Sequence, residues 1–272
     1  MGRTAPLGFL RGRGITEAAA TTGFLVFFAW LGSTQAGLSQ IILSYAISNI
    51  ALGIAAWFLL DTRHTAEADS KPPGLADIMA VLRRPDVWLI AIVVLTAYSA
   101  YWGSFYFTPY ATDVLLMSVV VGGAIGAGKN WLRPLVAGYI ADKVGVARTV
   151  SVCFIVLALS FSILALVPGK AALLPAILAN MTIGFLSIFA LRGIYFALMA
   201  ETGIPMAVTG TAAGVLSVIG FTPDIFMPII GGVFLDSMPG EDGYRYFFLL
   251  VAVMCLVGLA ATQLILRRMR RD

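Results

Sequence analysis

Histidine and cysteine are nearly absent from this chain: one histidine, His64, and two cysteines, Cys153 and Cys255, in 272 residues. His64 stands alone in a polar segment and both cysteines lie in apolar runs, so neither a zinc site nor a Ser–His set can be assembled from them. The cysteines read as packing residues. Charge is scarce too. Asp, Glu, Lys and Arg make up 12% of the residues against 60% hydrophobic ones, roughly half the charged share of a water-soluble domain. That composition places the chain in a bilayer. No metal cluster, cofactor motif or nucleophile–base pair stands out, so the expectation is a protein that is not an enzyme and carries no cofactor. The basic residues sit at the ends of apolar runs and form no single stripe, which speaks against nucleic acid as a partner. The start, MGRTAPLGFLRGRG, is basic but lacks a small-residue cleavage site behind a short apolar core.

A membrane-crossing helix needs about 20 apolar residues. That criterion predicts eight spans, at roughly 16–33, 38–60, 86–110, 115–140, 149–167, 172–199, 208–235 and 244–266. The long polar segment DTRHTAEADSKPPGLADIMAVLRRPD follows the second. It begins as a linker around Pro72 and Pro73, then places Leu75, Ile78, Met79 and Leu82 at helical spacing ahead of Arg83 and Arg84. A short helix lying at the membrane interface is expected there. With the amino terminus inside and alternating spans, thirteen of the eighteen Lys and Arg residues fall on the cytoplasmic side and only Lys170 and Arg245 outside. The positive-inside rule therefore predicts a multi-pass protein of the bacterial cytoplasmic membrane with its carboxyl terminus in the cytoplasm.

The other three basic residues, Lys129, Arg133 and Arg192, lie within predicted spans, as does Asp224. Charges at such depth are tolerated where they face protein or a water-filled cavity, so each is a functional candidate. Arg133 precedes Asp142 by nine residues and Arg192 precedes Glu201 by nine, about 13 Å of helix in each case. Lys129 and Asp224 sit deeper, each about 20 Å from the same face. Two arginines at one level suit the anionic group of a substrate, because the guanidinium fork matches phosphate, carboxylate or sulfonate. A structural network with carboxylates from elsewhere is the competing explanation. Tyr98, Trp102 and Tyr106 recur at every fourth position, one helical face whose polar tips suit a polar organic ligand or ordinary packing. Pro223 and Pro228 should bend their helix beside Asp224. Gly123 to Asn130 nearly spells a phosphate-binding loop. However, Asn130 replaces the hydroxyl that would hold magnesium, and the glycines suit close helix packing.

The turn Gly138-Tyr-Ile-Ala-Asp142-Lys143-Val-Gly145-Val-Ala-Arg148 resembles the loop signature of the major facilitator superfamily, except that Val146 and Ala147 replace its usual basic pair. The run YFALMAETGIPMAVTGTAAGVLSVIGFTPDIFMP is similar to bacterial permeases of its sugar-phosphate and organic-anion branch. The resemblance implies an all-α membrane protein with an incomplete major facilitator fold of about eight transmembrane helices, two plus six. Residues 1–61 would be the last two helices of an amino-terminal half, 62–85 the cytoplasmic linker with its interfacial helix, and 86–272 the six-helix carboxyl-terminal half. The first four helices, needed for a complete cavity, would be missing, whether by fragmentation, gene truncation or a misplaced start.

On this reading the protein is a secondary transporter, a symporter or antiporter that moves a small organic anion by alternating access, driven by a proton or a counter-anion. Arg133, Arg192, Lys129, Asn130, Tyr98 and Trp102 would bind the substrate. Asp224 would couple the driving ion and pair with Lys129. Gly138, Asp142, Lys143, Gly145 and Arg148 would form a conformational latch, with Asp142 accepting hydrogen bonds at the amino terminus of a neighbouring helix. The alternative is a truncated, non-transporting membrane sensor or partner-binding relative.

Overall fold

The computed structural model describes residues 35–59, 75–118, 143–204 and 206–270 and is all-helical across them. The chain divides into two units, Met1–Lys71 and Pro72–Asp272. In the first, helix α1 (Gln35–Leu59) covers the predicted span 38–60. The second opens with α2 (Leu75–Leu82), the expected short helix after the proline pair. Its buried contact is Val81, while Met79 is exposed.

Five helical runs among the described residues are long and apolar enough to cross a membrane: Pro85–Asp113, Val146–Leu166, Leu174–Glu201, Val208–Ser237 and Glu241–Met269. They match the predicted spans beginning at 86, 149, 172, 208 and 244 to within a few residues. The chain is a multi-pass, all-α membrane protein. The predicted spans at 16–33 and 115–140 lie wholly or almost wholly outside the described residues, and with them the candidates Lys129, Asn130, Arg133, Gly138 and Asp142.

Three of the five runs are broken, and sequence accounts for two of the breaks. The first consists of α3 (Pro85–Gly103), a 3₁₀ turn at Ser104–Tyr106, and α4 (Phe107–Asp113). Pro109 has no N–H to donate to the Phe105 carbonyl one turn back, and its ring crowds that carbonyl. Helix α5 (Val146–Leu166) is continuous. The third run is α6 (Leu174–Ile194), a 3₁₀ turn at Tyr195–Ala197 and α7 (Leu198–Glu201). The fourth splits into α8 (Met206–Gly220) and α9 (Pro223–Ser237). The α-helical ladder stops at the Phe221–Thr222 turn, because Pro223 cannot donate, and restarts with Asp224 N–H bonded to the Phe221 carbonyl at 3.1 Å. Asp224 is therefore in the first turn of a helix, where its charge suits the macrodipole. Helix α10 (Glu241–Met269) closes the chain.

Helix α10 packs along α3 and α5. Lipid tails are as apolar as leucine, so the association has to come from close van der Waals fit and interhelical hydrogen bonds. Gly258 of α10 supplies the fit: a Cβ there would run into Thr96 of α3 and Phe154 of α5. Beyond it a nest of rings fills the interior, with Phe107 5.6 Å from Phe161 and 4.9 Å from Phe185 between centroids. Hydrogen bonds add a clasp between α5 and α6, where Asn180 Nδ2 donates to the Ser160 carbonyl (3.0 Å) and Ser160 Oγ donates back to the Asn180 carbonyl (3.3 Å).

Carboxylates tie the two ends. At one end Glu201, last residue of α7, accepts from the backbone N–H groups of Val146 (2.8 Å) and Ala147 (2.7 Å), capping α5 from outside its own sequence. Gly145 reaches this position with φ of +100° and would place a Cβ 3.2 Å from Glu201 Oε1. At the other end Tyr244 donates to Asp113 Oδ2 at 2.6 Å, Gly169 N–H to Glu241 Oε1 at 2.9 Å, and Arg245 Nε to the Ala165 carbonyl at 2.8 Å.

Replacing Glu201 by Ala should lower stability by about 0.5–2 kcal/mol, the range for a lost helix cap. Glu201→Gln keeps an acceptor but loses the charge and should fall between Ala and the parent. Thermal unfolding in detergent checks the order; an Ala variant that melts with the parent means the cap contributes nothing.

Candidate functional site

Residues next to the three helix breaks converge on one cluster. Helix α3 presents Tyr98, Tyr101 and Trp102 at i, i+3 and i+4, a single face. Helix α6 brings Phe189 and Arg192, also one turn apart. The α8–α9 junction brings Phe221 and Asp224.

Asp224 is held by two neutral donors. Trp102 Nε1 donates to Oδ1 at 2.7 Å and the Tyr98 hydroxyl donates to Oδ2 at 3.3 Å. The first has the length of a strong charge-assisted bond. Each carboxylate oxygen thus has a donor, and the rest of the group is exposed. The expected partner, Lys129, lies outside the described residues.

Arg192 lies with its guanidinium carbon 4.1 Å from the centre of the Tyr101 ring, flanked at longer range by Tyr98 (5.9 Å) and Phe189 (6.0 Å). Stacking of this kind contributes about 0.5–2 kcal/mol and steadies the side chain through its face, leaving the N–H edge to other partners. Among the described residues Arg192 makes no ion pair. Its side chain is half-buried.

Tyr98 links the two charges. Its ring packs on Tyr101 (5.4 Å) and Phe221 (4.8 Å), flanks Arg192 on one side and bonds Asp224 on the other. Depth counting assigned Arg192 and Asp224 to separate levels. Tyr98 spans the step between them: its ring flanks Arg192 and its hydroxyl reaches Asp224. A cation and an anion thus share one aromatic wall without touching.

The sequence expectations for Tyr98 and Trp102 as one face hold, and both point to Asp224. Tyr106, the third member of that periodicity, packs on Phe247 at 4.1 Å between centroids. Its hydroxyl abuts Gly231, two turns along α9 from Asp224. Tyr101 and Phe189, which carry the guanidinium, were not singled out as site residues. Their spacing, three residues from Tyr98 and from Arg192, was the available signal. Of the turn residues, Lys143 and Arg148 are exposed and Gly145 adjoins Glu201. The carboxylate found at the α5 amino terminus is that of Glu201; Asp142 lies outside the described residues.

No family model matches the chain. It is similar to inner membrane protein YihN of Escherichia coli (strain K12), with 29% identity over 273 residues, covering 96% of this chain and 64% of that protein. It is likewise similar to inner membrane protein YqcE of the same organism, with 30% identity over 270 residues, covering 94% of this chain and 61% of that protein. The chain therefore spans less than two thirds of the length of either curated relative. These findings correct the major facilitator assignment. A loop signature with two of its basic positions lost does not carry a family, no family model supports it, and the relatives are described only as inner membrane proteins. What stands is an all-helical, multi-pass membrane protein.

A carboxylate exposed within a span should face water rather than lipid. Asp224→Cys should thus react with a charged, membrane-impermeant thiol reagent, while the buried Cys153 and Cys255 remain silent. Absence of labelling at position 224, with the protein folded, would show that the position opens to lipid.

Proposed function

We propose that this protein is a carrier of a bacterial inner membrane that moves a small organic anion. Support for the location comes from the five apolar spans and from relatives that are themselves inner membrane proteins. The observation that carries the substrate class is Arg192: a guanidinium over the Tyr101 ring, without an ion-pair partner among the described residues, inside a membrane span.

An uncompensated charge at such depth costs roughly 2.5–3.5 kcal/mol on insertion scales, so its retention asks for a role. Stacking occupies the face of the guanidinium, Tyr195 approaches part of its edge, and the remaining N–H groups suit hydrogen bonds with an oxyanion. The wall of Tyr98, Tyr101, Trp102 and Phe221 suits the organic remainder of the ligand. Asp224, one tyrosine away, takes the coupling role. When protonated it donates a hydrogen bond, and when ionised it accepts from Tyr98 and Trp102. Anion and proton then travel together, or a second anion exchanges for the first.

Binding is tested by thermal shift and calorimetry on the detergent-purified protein with a panel of carboxylates, phosphate monoesters and sulfonates. Arg192→Lys keeps the charge and loses the fork, and should weaken the best ligand by about tenfold. Arg192→Ala should weaken it by roughly 10- to 100-fold, the scale of a lost charge-assisted hydrogen-bond pair. An Ala variant that binds the panel like the parent removes the anion assignment.

A further inference from the structure

We infer a second binding site, for the headgroup of an anionic phospholipid, in the groove between α3 and α10 at their arginine-rich end. The groove has a volume of about 550 Å³ and is lined by Pro85, Trp88, Leu89, Leu264, Arg267 and Arg268. Trp88 lies ten residues before Tyr98 on the same helix, about 15 Å away. The site is separate from the Arg192 cluster.

Position comes first. Helix α10 has 29 residues, about 43 Å of helix, against a hydrocarbon thickness of about 30 Å. With an apolar middle, its final turn reaches headgroup level, and Arg267 and Arg268 are in that turn. Trp88 is exposed at the same end, as expected of an interfacial aromatic. Its indole N–H already donates to the Leu82 carbonyl at 2.8 Å, so the ring is fixed as one wall.

Charge comes second. Arg268 Nε lies 3.6 Å from Asp86 Oδ1, a long and partly exposed contact of small value. Arg267 makes no ion pair among the described residues. Two guanidinium groups against one carboxylate leave the groove net positive, the complement of a phosphodiester. A helix carboxyl terminus attracts cations by itself, but that preference supplies neither the tryptophan wall nor the apolar floor. That floor selects a lipid over soluble phosphate. Leu89 and Leu264 continue from the arginines toward the span, and Leu264 is exposed, so an acyl chain can lie along them while the phosphate meets the arginines.

The test is native mass spectrometry of the full 272-residue chain with phosphatidylglycerol, phosphatidylethanolamine or both added in detergent. The parent should retain phosphatidylglycerol in preference. The double variant Arg267→Gln, Arg268→Gln should retain it about tenfold less, the scale expected for two arginines beside an anionic lipid. Asp86→Asn frees Arg268 and should raise retention, whereas a purely structural ion pair predicts loss of thermal stability with no change in lipid. Arg148→Gln removes one charge from an exposed position outside the groove and should leave retention unchanged. If the double variant does not fold, Arg267→Gln alone carries the test. Equal retention by parent and groove variants overturns the site, as does an equal loss with Arg148→Gln. Displacement of the lipid by millimolar inorganic phosphate overturns the choice of lipid.

Discussion

Inside a bilayer a polar group has no water to fall back on, and every feature of this structure that departs from plain apolar helix answers to that constraint. Asp224 is met by an indole N–H and a phenolic hydroxyl. Asn180 and Ser160 satisfy each other across two helices. Glu201 accepts the two amide hydrogens that would otherwise be orphaned at the start of α5. Apolar surface explains where the helices are; it does not explain which helices touch, because lipid accommodates leucine as well as a neighbouring helix does. Touching is decided by small residues such as Gly258 and by these polar pairs.

The same constraint bears on the breaks. A proline inside a span leaves a carbonyl without its donor, and the α8–α9 junction shows how the chain resolves it: the ladder stops, a turn of hydrogen bonds spanning three residues intervenes, and a new helix starts with Asp224 in its first turn. The residues next to the breaks at Ser104–Tyr106, Tyr195–Ala197 and Phe221–Thr222 form the charged and aromatic cluster. Irregular backbone and charge thus occur together. Both need partners that lipid cannot supply, and one set of neighbours serves both. Arg192 illustrates the economy, since an aromatic face steadies the guanidinium and Tyr195 takes only part of its hydrogen-bonding edge.

The two candidate sites differ in what holds them. The Arg192–Asp224 cluster is assembled from three separate spans, so its geometry depends on how α3, α6 and the α8–α9 pair are packed. The groove at Trp88 and Arg267 needs only two antiparallel helix ends that stay side by side, which the tight α3–α10 contact provides. Glu201 and the Asp113–Tyr244 pair bind opposite ends of the bundle, which limits how far these helices can slide past each other.

Composition and run length by themselves determined the class of this protein. About 20 apolar residues in succession have few other fates, so each of the five described spans, and the placement of Arg192 and Asp224 within them, could be read directly. The i, i+4 spacing also sufficed to put Tyr98 and Trp102 on one face. Only the tertiary structure decided what those residues meet. Depth counting assumes a uniform rise of 1.5 Å per residue, and the turns at 104–106 and 221–222 violate it. Tyr98 bridges Arg192 and Asp224, and Tyr106 meets Gly231 and Phe247, contacts that no spacing in the sequence announces. Glu201 was legible only as the end of a helix, because its role is a contact with backbone more than fifty residues away in the chain. The loop signature misled for a related reason. Glycines and charges at a tight turn meet local steric and interfacial needs that many membrane proteins share, whereas a family is a property of the whole chain.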